Sequence, residues 1–199
     1  MFIQVASGDV AEHSVLRQQL ERWVVEVRPG AAGFLGATAG ITSRGHFVSV
    51  ARFDGKPAAR SNLERPEHVQ WWKRTERCFN GPVEVRESED LDFLGNGGSD
   101  SAGFVQVIEG RTGDRARFMV LEREIERGFV KERPDFIGSM LVWWESGAWL
   151  EVAYFSSEEQ TRAAEQSGLS EGLTNVFSEW QGLAAPSSYH DFTQPLFLN

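Results

Sequence analysis

The sequence predicts an α+β protein in which one β-α-β-β-α-β unit is written twice and the two sheets pack together as a single pseudo-twofold domain. Three observations carry this. First, "FIQVASG" (2–8) returns as "FVQVIEG" (104–110), "GFLG" (33–36) as "DFIG" (135–138), and "FVSVARF" (47–53) as "WLEVAYF" (149–155), each at an offset of 102. Second, "VLRQQLERWVVEVRP" (15–29) matches "VLEREIERGFVKERP" (120–134) at an offset of 105. Seven of those fifteen positions are identical, where unrelated segments would share roughly one. Third, "GNGGSDSAG" (95–103) has no hydrophobic period and reads as a flexible join. The repeats are expected over 1–94 and 103–199, with 95–102 as the linker; the turn "GAAG" (30–33) absorbs the change of offset.

Within the first repeat, residues 2–7 alternate as a strand. Leu16, Leu20, Trp23, Val24 and Val27 then fall at helical spacing in residues 12–28, and "RPG" closes the helix. Residues 34–42 and 46–53 read as two strands around a "TSRG" turn. Pro66 suits the first turn of a second helix, which sets Val69, Trp72 and Phe79 on one face. "PVEVRES" (82–88) supplies a last strand, and the tails "LDFL" (91–94) and "PLFL" (195–198) correspond. The second repeat follows the same order, with helices near 114–132 and 157–181. This is the ferredoxin-like order, which leaves one sheet face bare; two copies can each cover the other's. The fused chain is therefore expected to be a monomer, an intramolecular pseudo-dimer.

Composition narrows the function classes. A net charge of -9 and no basic run argue against nucleic-acid binding. No stretch is apolar for long enough to suggest a membrane span. Cys78 is the single cysteine, so no intrachain disulfide is possible, and a cytoplasmic location is expected. His13, His46 and His190 are scattered without metal-ligand spacing, and no GxGxxG or P-loop motif is present. No cofactor or metal is expected. Seven Trp and 14 Phe promise either a heavily packed core or a lined cavity.

The two halves, and most specifically "VARFDGKPAARSNLERPEHVQWW" (50–72), resemble the dimeric α+β barrel superfamily and its antibiotic-biosynthesis-monooxygenase-like (ABM-like) domains, here in tandem. The resemblance implies a fold that hosts cofactor-independent oxygenases of aromatic polyketides, heme-degrading monooxygenases and members without an assigned reaction. Heme degradation is disfavoured. Where those members place an Asn on the first strand this chain has Gln4 or Gln106, and Trp71 or Trp72 stands near their iron-binding His.

The candidate site is drawn in the first repeat. His68, Trp71, Trp72 and Thr75 share one helix face, so His68 is a candidate base beside a hydrophobic wall; equally, Trp72 is core and His68 a helix-start residue. Gln4 and its repeat Gln106 either point an amide into a cavity or tie the strands together. The strand "GFLGATAGI" (33–41), with Gly36 and Thr38, has small side chains and leaves space, whereas Met140, Trp143 and Trp144 fill its counterpart. Arg52, replaced by Tyr154 in the repeat, is a candidate to hold an oxyanion, or a surface Arg. The function expected is binding of a small, flat, aromatic molecule in the first repeat, with cofactor-independent oxygenation as its chemistry. The alternative is a non-catalytic binding or stress-associated module.

Overall fold

The computed structural model describes all residues, Met1–Asn199. Along the chain run β1 (Phe2–Asp9), α1 (His13–Glu26), β2 (Phe34–Ile41), β3 (His46–Phe53), α2 (Lys56–Glu64), α3 (Pro66–Thr75), β4 (Glu84–Ser88) and β5 (Leu91–Gly95). Then follow β6 (Phe104–Arg111), α4 (Arg115–Glu132), β7 (Phe136–Trp143), β8 (Ala148–Phe155), α5 (Glu158–Ser167), α6 (Glu171–Ala184), β9 (Pro186–Phe192) and β10 (Leu196–Leu198). The expected order of elements is present in both repeats. Each second helix is split: Pro66 starts α3 after α2, and Gly168, at φ +73°, separates α5 from α6.

Two antiparallel five-stranded sheets result, β10-β2-β3-β1-β4 and β5-β7-β8-β6-β9. The compact units do not follow the repeat boundaries. One comprises Met1–Glu89 with Gln194–Asn199; the other is the continuous segment Asp90–Thr193. The reason lies in the two short tails. β5, written at the end of the first repeat, pairs with β7 as Phe93↔Met140; β10, at the end of the second, pairs with β2 as Phe197↔Thr38. Each tail strand thus completes the sheet of the other repeat.

In the first unit, Leu16, Leu20, Trp23 and Trp71 of the helices meet Phe2, Phe34 and Phe53 of the sheet in one buried cluster. Trp23 and Phe34 lie 4.6 Å apart by ring centroid, and Phe34 and Phe53 5.4 Å, so large rings fill this layer. The buried face of α3 carries Trp71 and Thr75, while Val69 is exposed and Trp72 half-buried, a rotation of about one residue from the face the sequence suggests.

In the second unit, Asp114 caps α4 by accepting from the Arg117 backbone N–H at 2.9 Å, and Ser170 caps α6. The α4 face Phe118, Leu121, Ile125 and Phe129 packs on the sheet, with Phe118 5.2 Å from Trp149 and 6.0 Å from Trp180. Trp149 Nε1–H donates to the Ala184 carbonyl at 3.0 Å, which ties β8 to the end of α6.

Candidate functional site

The site that geometry defines lies in the second unit. Between α4, α6 and the sheet is a cavity of about 120 Å³. Phe129, Phe136, Phe155, Phe177 and Trp180 contribute its apolar wall. Glu165, an exposed residue on α5, also borders it, so the cavity reaches solvent on that side. The repeat explains why the space exists here. Subtracting the 105-residue offset, Gly128 stands where the first repeat has Trp23, whose indole packs on Phe34. A Cβ at Gly128 would sit 2.6 Å from Leu173 Cδ1, so α6 leans into part of the lost volume. Phe136, the counterpart of Phe34, meets Phe129 and Phe155 instead, and part of the space stays open.

Two carboxyls, Glu122 of α4 and Glu151 of β8, face this cavity. They are 4% and 7% exposed, among the most buried acidic groups in the chain. Their repeat counterparts are Arg17 (offset 105) and Ser49 (offset 102), so the pair belongs to the second unit alone. Trp180 Nε1–H donates to Glu122 Oε1 at 2.5 Å. Burial, first, and the neighbouring Glu151 charge, second, hold the Glu122 pKa well above the usual carboxylate range, against the pull of that hydrogen bond. Burial likewise raises Glu151. The Ser139 hydroxyl is near enough to draw Glu151 back down somewhat, yet its Oγ is sealed and reaches no hydrogen-bond partner. Two like charges facing one apolar cavity oppose each other's ionisation.

The remaining charges of the wall are already engaged. Arg133 grips Asp135 with two hydrogen bonds of 2.9 and 2.8 Å and lies over the Phe129 and Phe155 rings. Burial would push the Asp135 carboxyl up, but the Arg133 guanidinium holds it below its ordinary range. Glu126 accepts from the Gly95 backbone N–H at 2.6 Å, and Glu165 pairs with Arg162 at 3.1 Å.

The residues proposed from sequence do not converge. Strand alternation, with a bulge between Phe34 and Gly36, places Phe34, Ala37 and Ala39 of β2 and Phe47 and Phe53 of β3 in the helix-side core. Gly36, Thr38 and Arg52 therefore project from the opposite face of that sheet; a Cβ on Gly36 would lie 2.7 Å from Arg52 Nη2. His68, Trp71 and Trp72 stay together on the helix side, with ring centroids 5.5 Å (His68–Trp71) and 5.8 Å (Trp71–Trp72) apart. Trp71 is a packing residue whose Nε1–H donates to the Gln19 carbonyl at 2.6 Å. Burial and then the Arg65 charge lower the His68 pKa to about 4, which makes it a weak base.

The two glutamines have a cross-strand task. Gln4 Nε2–H donates to Glu87 Oε1 at 3.1 Å and Gln106 Nε2–H to Asp191 Oδ1 at 2.8 Å, each to the residue directly opposite on the neighbouring strand. Gln106 also borders the cavity. Cys78 is buried, and burial followed by the Glu12 charge pushes its thiol pKa up. No three His, Cys, Asp or Glu side chains are arranged to hold a metal ion, and no helix is long and apolar enough to cross a membrane.

Fold and cavity together define an α+β tandem-repeat protein with an acidic, aromatic-walled pocket. The same fold, over the whole chain, is found in solved structures of distant sequence. A candidate monooxygenase from Fusobacterium nucleatum superposes with a TM-score of 0.74 at 11% identity, covering 100% of this chain and 92% of that one. A candidate monooxygenase from Lactobacillus acidophilus NCFM gives 0.69 at 11% identity, covering 100% and 99%. An anthrone oxidase-like protein gives 0.66 at 7% identity, covering 100% and 93%. No protein-family model matches the sequence, and no curated protein matches it.

Proposed function

We propose that the second unit binds a small, single-ring aromatic molecule in this cavity and that its chemistry is monooxygenase-like, with the Glu122–Glu151 pair moving the proton. The observation that carries the reading is the pair itself, two buried carboxyls facing an aromatic-walled space. Size sets the ligand class: a cavity of ~150 Å³ accepts benzene, so about 120 Å³ with one open side suits a single ring and not a polycycle. The solved structures that share the fold include proteins named for monooxygenase or anthrone oxidase-like activity, and that supports the direction of the chemistry.

The step balances without a bound cofactor. The ionised carboxylate takes a proton from a ring-activated CH₂ group, and the carbanion passes an electron to O₂. Recombination and return of the proton give a hydroperoxide, which loses water to leave a ketone, so one O₂ becomes one C=O and one H₂O. A carboxylate with a raised pKa is a stronger base than an ordinary one, and a dry wall keeps water from quenching the anion.

The test uses Trp180 as a reporter, since its indole borders the cavity. Single-ring aromatics should change its fluorescence saturably, and Ala153→Leu, which fills the cavity from the β8 wall, should abolish the change while the fold is kept. With an activated methylene substrate, oxygen uptake should match ketone formed and fall by about 10²-fold or more in Glu151→Gln. Saturable binding with no oxygen uptake would leave a binding module; absence of binding by any single-ring compound would overturn the reading.

A further inference from the structure

We infer that the ligand of this cavity carries a protonated nitrogen, a small ring-bearing ammonium ion held by Glu122 and Glu151. This rests on the reading that the cavity is a ligand site and adds the charge of what fills it.

Charge around the cavity is one-sided. Glu122 and Glu126 from α4 and Glu151 from β8 border it with no cation paired to them, Glu165 from α5 borders it paired with Arg162, and Arg133 is the cation of the lining. Arg133 is neutralised by the two hydrogen bonds to Asp135 and has no charge to spare for an anion. From β9, burial and then the Glu151 charge raise the Tyr189 phenol pKa, so it stays neutral, and Asp191 is held by Gln106 and Arg162. Every charge facing the cavity that is not already cancelled is negative or absent.

A second observation is independent of that count. Glu151 is 7% exposed and borders the cavity, and no group donates a hydrogen bond to it within ordinary distance, because the Ser139 hydroxyl falls short. A buried carboxyl without a donor is costly unless it stays protonated or a donor arrives. An ammonium group offers three N–H donors and a compensating charge, and its apolar body matches the Phe129, Phe136, Phe177 and Trp180 wall.

Without ligand, the two carboxyls oppose each other's ionisation. An ammonium ion seated between them makes full ionisation favourable, and bound proton leaves to solvent. One carboxylate holds the nitrogen, and the other is left ionised beside the ring.

Three near-isosteric probes test this on the whole chain: benzylammonium, benzyl alcohol and benzoate. Calorimetric titration at pH 7 in two buffers of different ionisation enthalpy should show benzylammonium binding at least ~10-fold tighter than the alcohol. It should also show proton release on binding, which the alcohol does not cause. Benzoate should not bind. In Glu151→Gln and in Glu122→Gln, where the amide oxygen still accepts from Trp180, the preference for the amine should vanish while alcohol binding persists. Equal binding of amine and alcohol, or preference for benzoate, would overturn this inference and leave the aromatic-site reading standing. Binding of none of the three would overturn both. Tighter amine binding without proton release would also overturn it, because the cation would then be held by groups other than this buried pair.

Discussion

Glu151 concentrates what is unusual at the residue scale. A raised carboxyl pKa means that the folded state binds more protons than the unfolded one between the ordinary carboxylate range and the folded pKa. Its stabilising effect is complete below the unfolded pKa and is lost as pH rises through the folded one. Each extra proton held by the folded state gives a slope of ~1.4 kcal/mol per pH unit. Glu151→Gln should therefore flatten the fall in stability on the alkaline side and raise the thermal midpoint at pH 8; denaturation at pH 5 and pH 8 measures it. A variant less stable at pH 8 than the parent would mean that Glu151 is stabilised as a carboxylate in the folded state. Asp135 behaves in the opposite sense. Its lowered pKa contributes stability above the unfolded carboxylate pKa, lost as pH falls through the folded one. Asp135→Asn leaves the Arg133 cation buried beside the cavity and should cost ~3–5 kcal/mol in chemical denaturation at neutral pH. The sequence held a signal for the acid pair: in "WLEVAYF" a Glu interrupts an otherwise apolar strand where the first repeat has Ser49. The small side chains of Gly36 and Thr38 point to the other repeat, but a bulge and strand alternation set the face those residues occupy, and neither is written in their identities.

Helices and strands were legible element by element because their periods differ and their ends are marked by Pro66, "RPG" and the Gly-bearing turns. The destination of the tails was not. "LDFL" and "PLFL" are alike in pattern, and alternation within a strand says nothing about which sheet edge receives it. β10 covers the edge of β2, whose sequence is apolar and rich in small residues, and brings Leu198 to 7% exposure; the Gln194 carbonyl just before it accepts from Arg17 at 3.1 Å. Deleting residues 194–199 should cost ~2–4 kcal/mol from the lost Leu198 burial and cross-strand hydrogen bonds. It should also leave β2 as an unprotected edge, so aggregation on heating should begin earlier than in the full chain. Light scattering during a thermal ramp checks this, and an unchanged onset would show that β10 contributes little to the sheet.

For the whole molecule, the exchanged tails make the choice of fragment decisive. The second repeat as the sequence delimits it, 103–199, lacks β5. It thereby loses Leu94 from the cavity wall, the Asp90 and Asp92 partners of Arg115, and the Asp92 acceptor of Trp143 Nε1–H. The compact unit Asp90–Thr193 is continuous in the chain and keeps all of these, together with its complete five-stranded sheet. Residues 90–193 should therefore show native-like aromatic circular dichroism, and benzylammonium should still perturb Trp180, whereas 103–199 should be poorly ordered and silent to the ligand. The two fragments share an apolar sheet face remote from the helices, carrying Val105, Val107, Leu150, Val152 and Tyr154, each at most 1% exposed in the whole chain. A bare face of that kind requires cover. Fragment 90–193 should accordingly self-associate in sedimentation, while the full chain sediments as a monomer at the same concentration. A monomeric, ligand-competent 90–193 would show that this face tolerates water, and the reason for the duplication would have to be sought in function instead of burial.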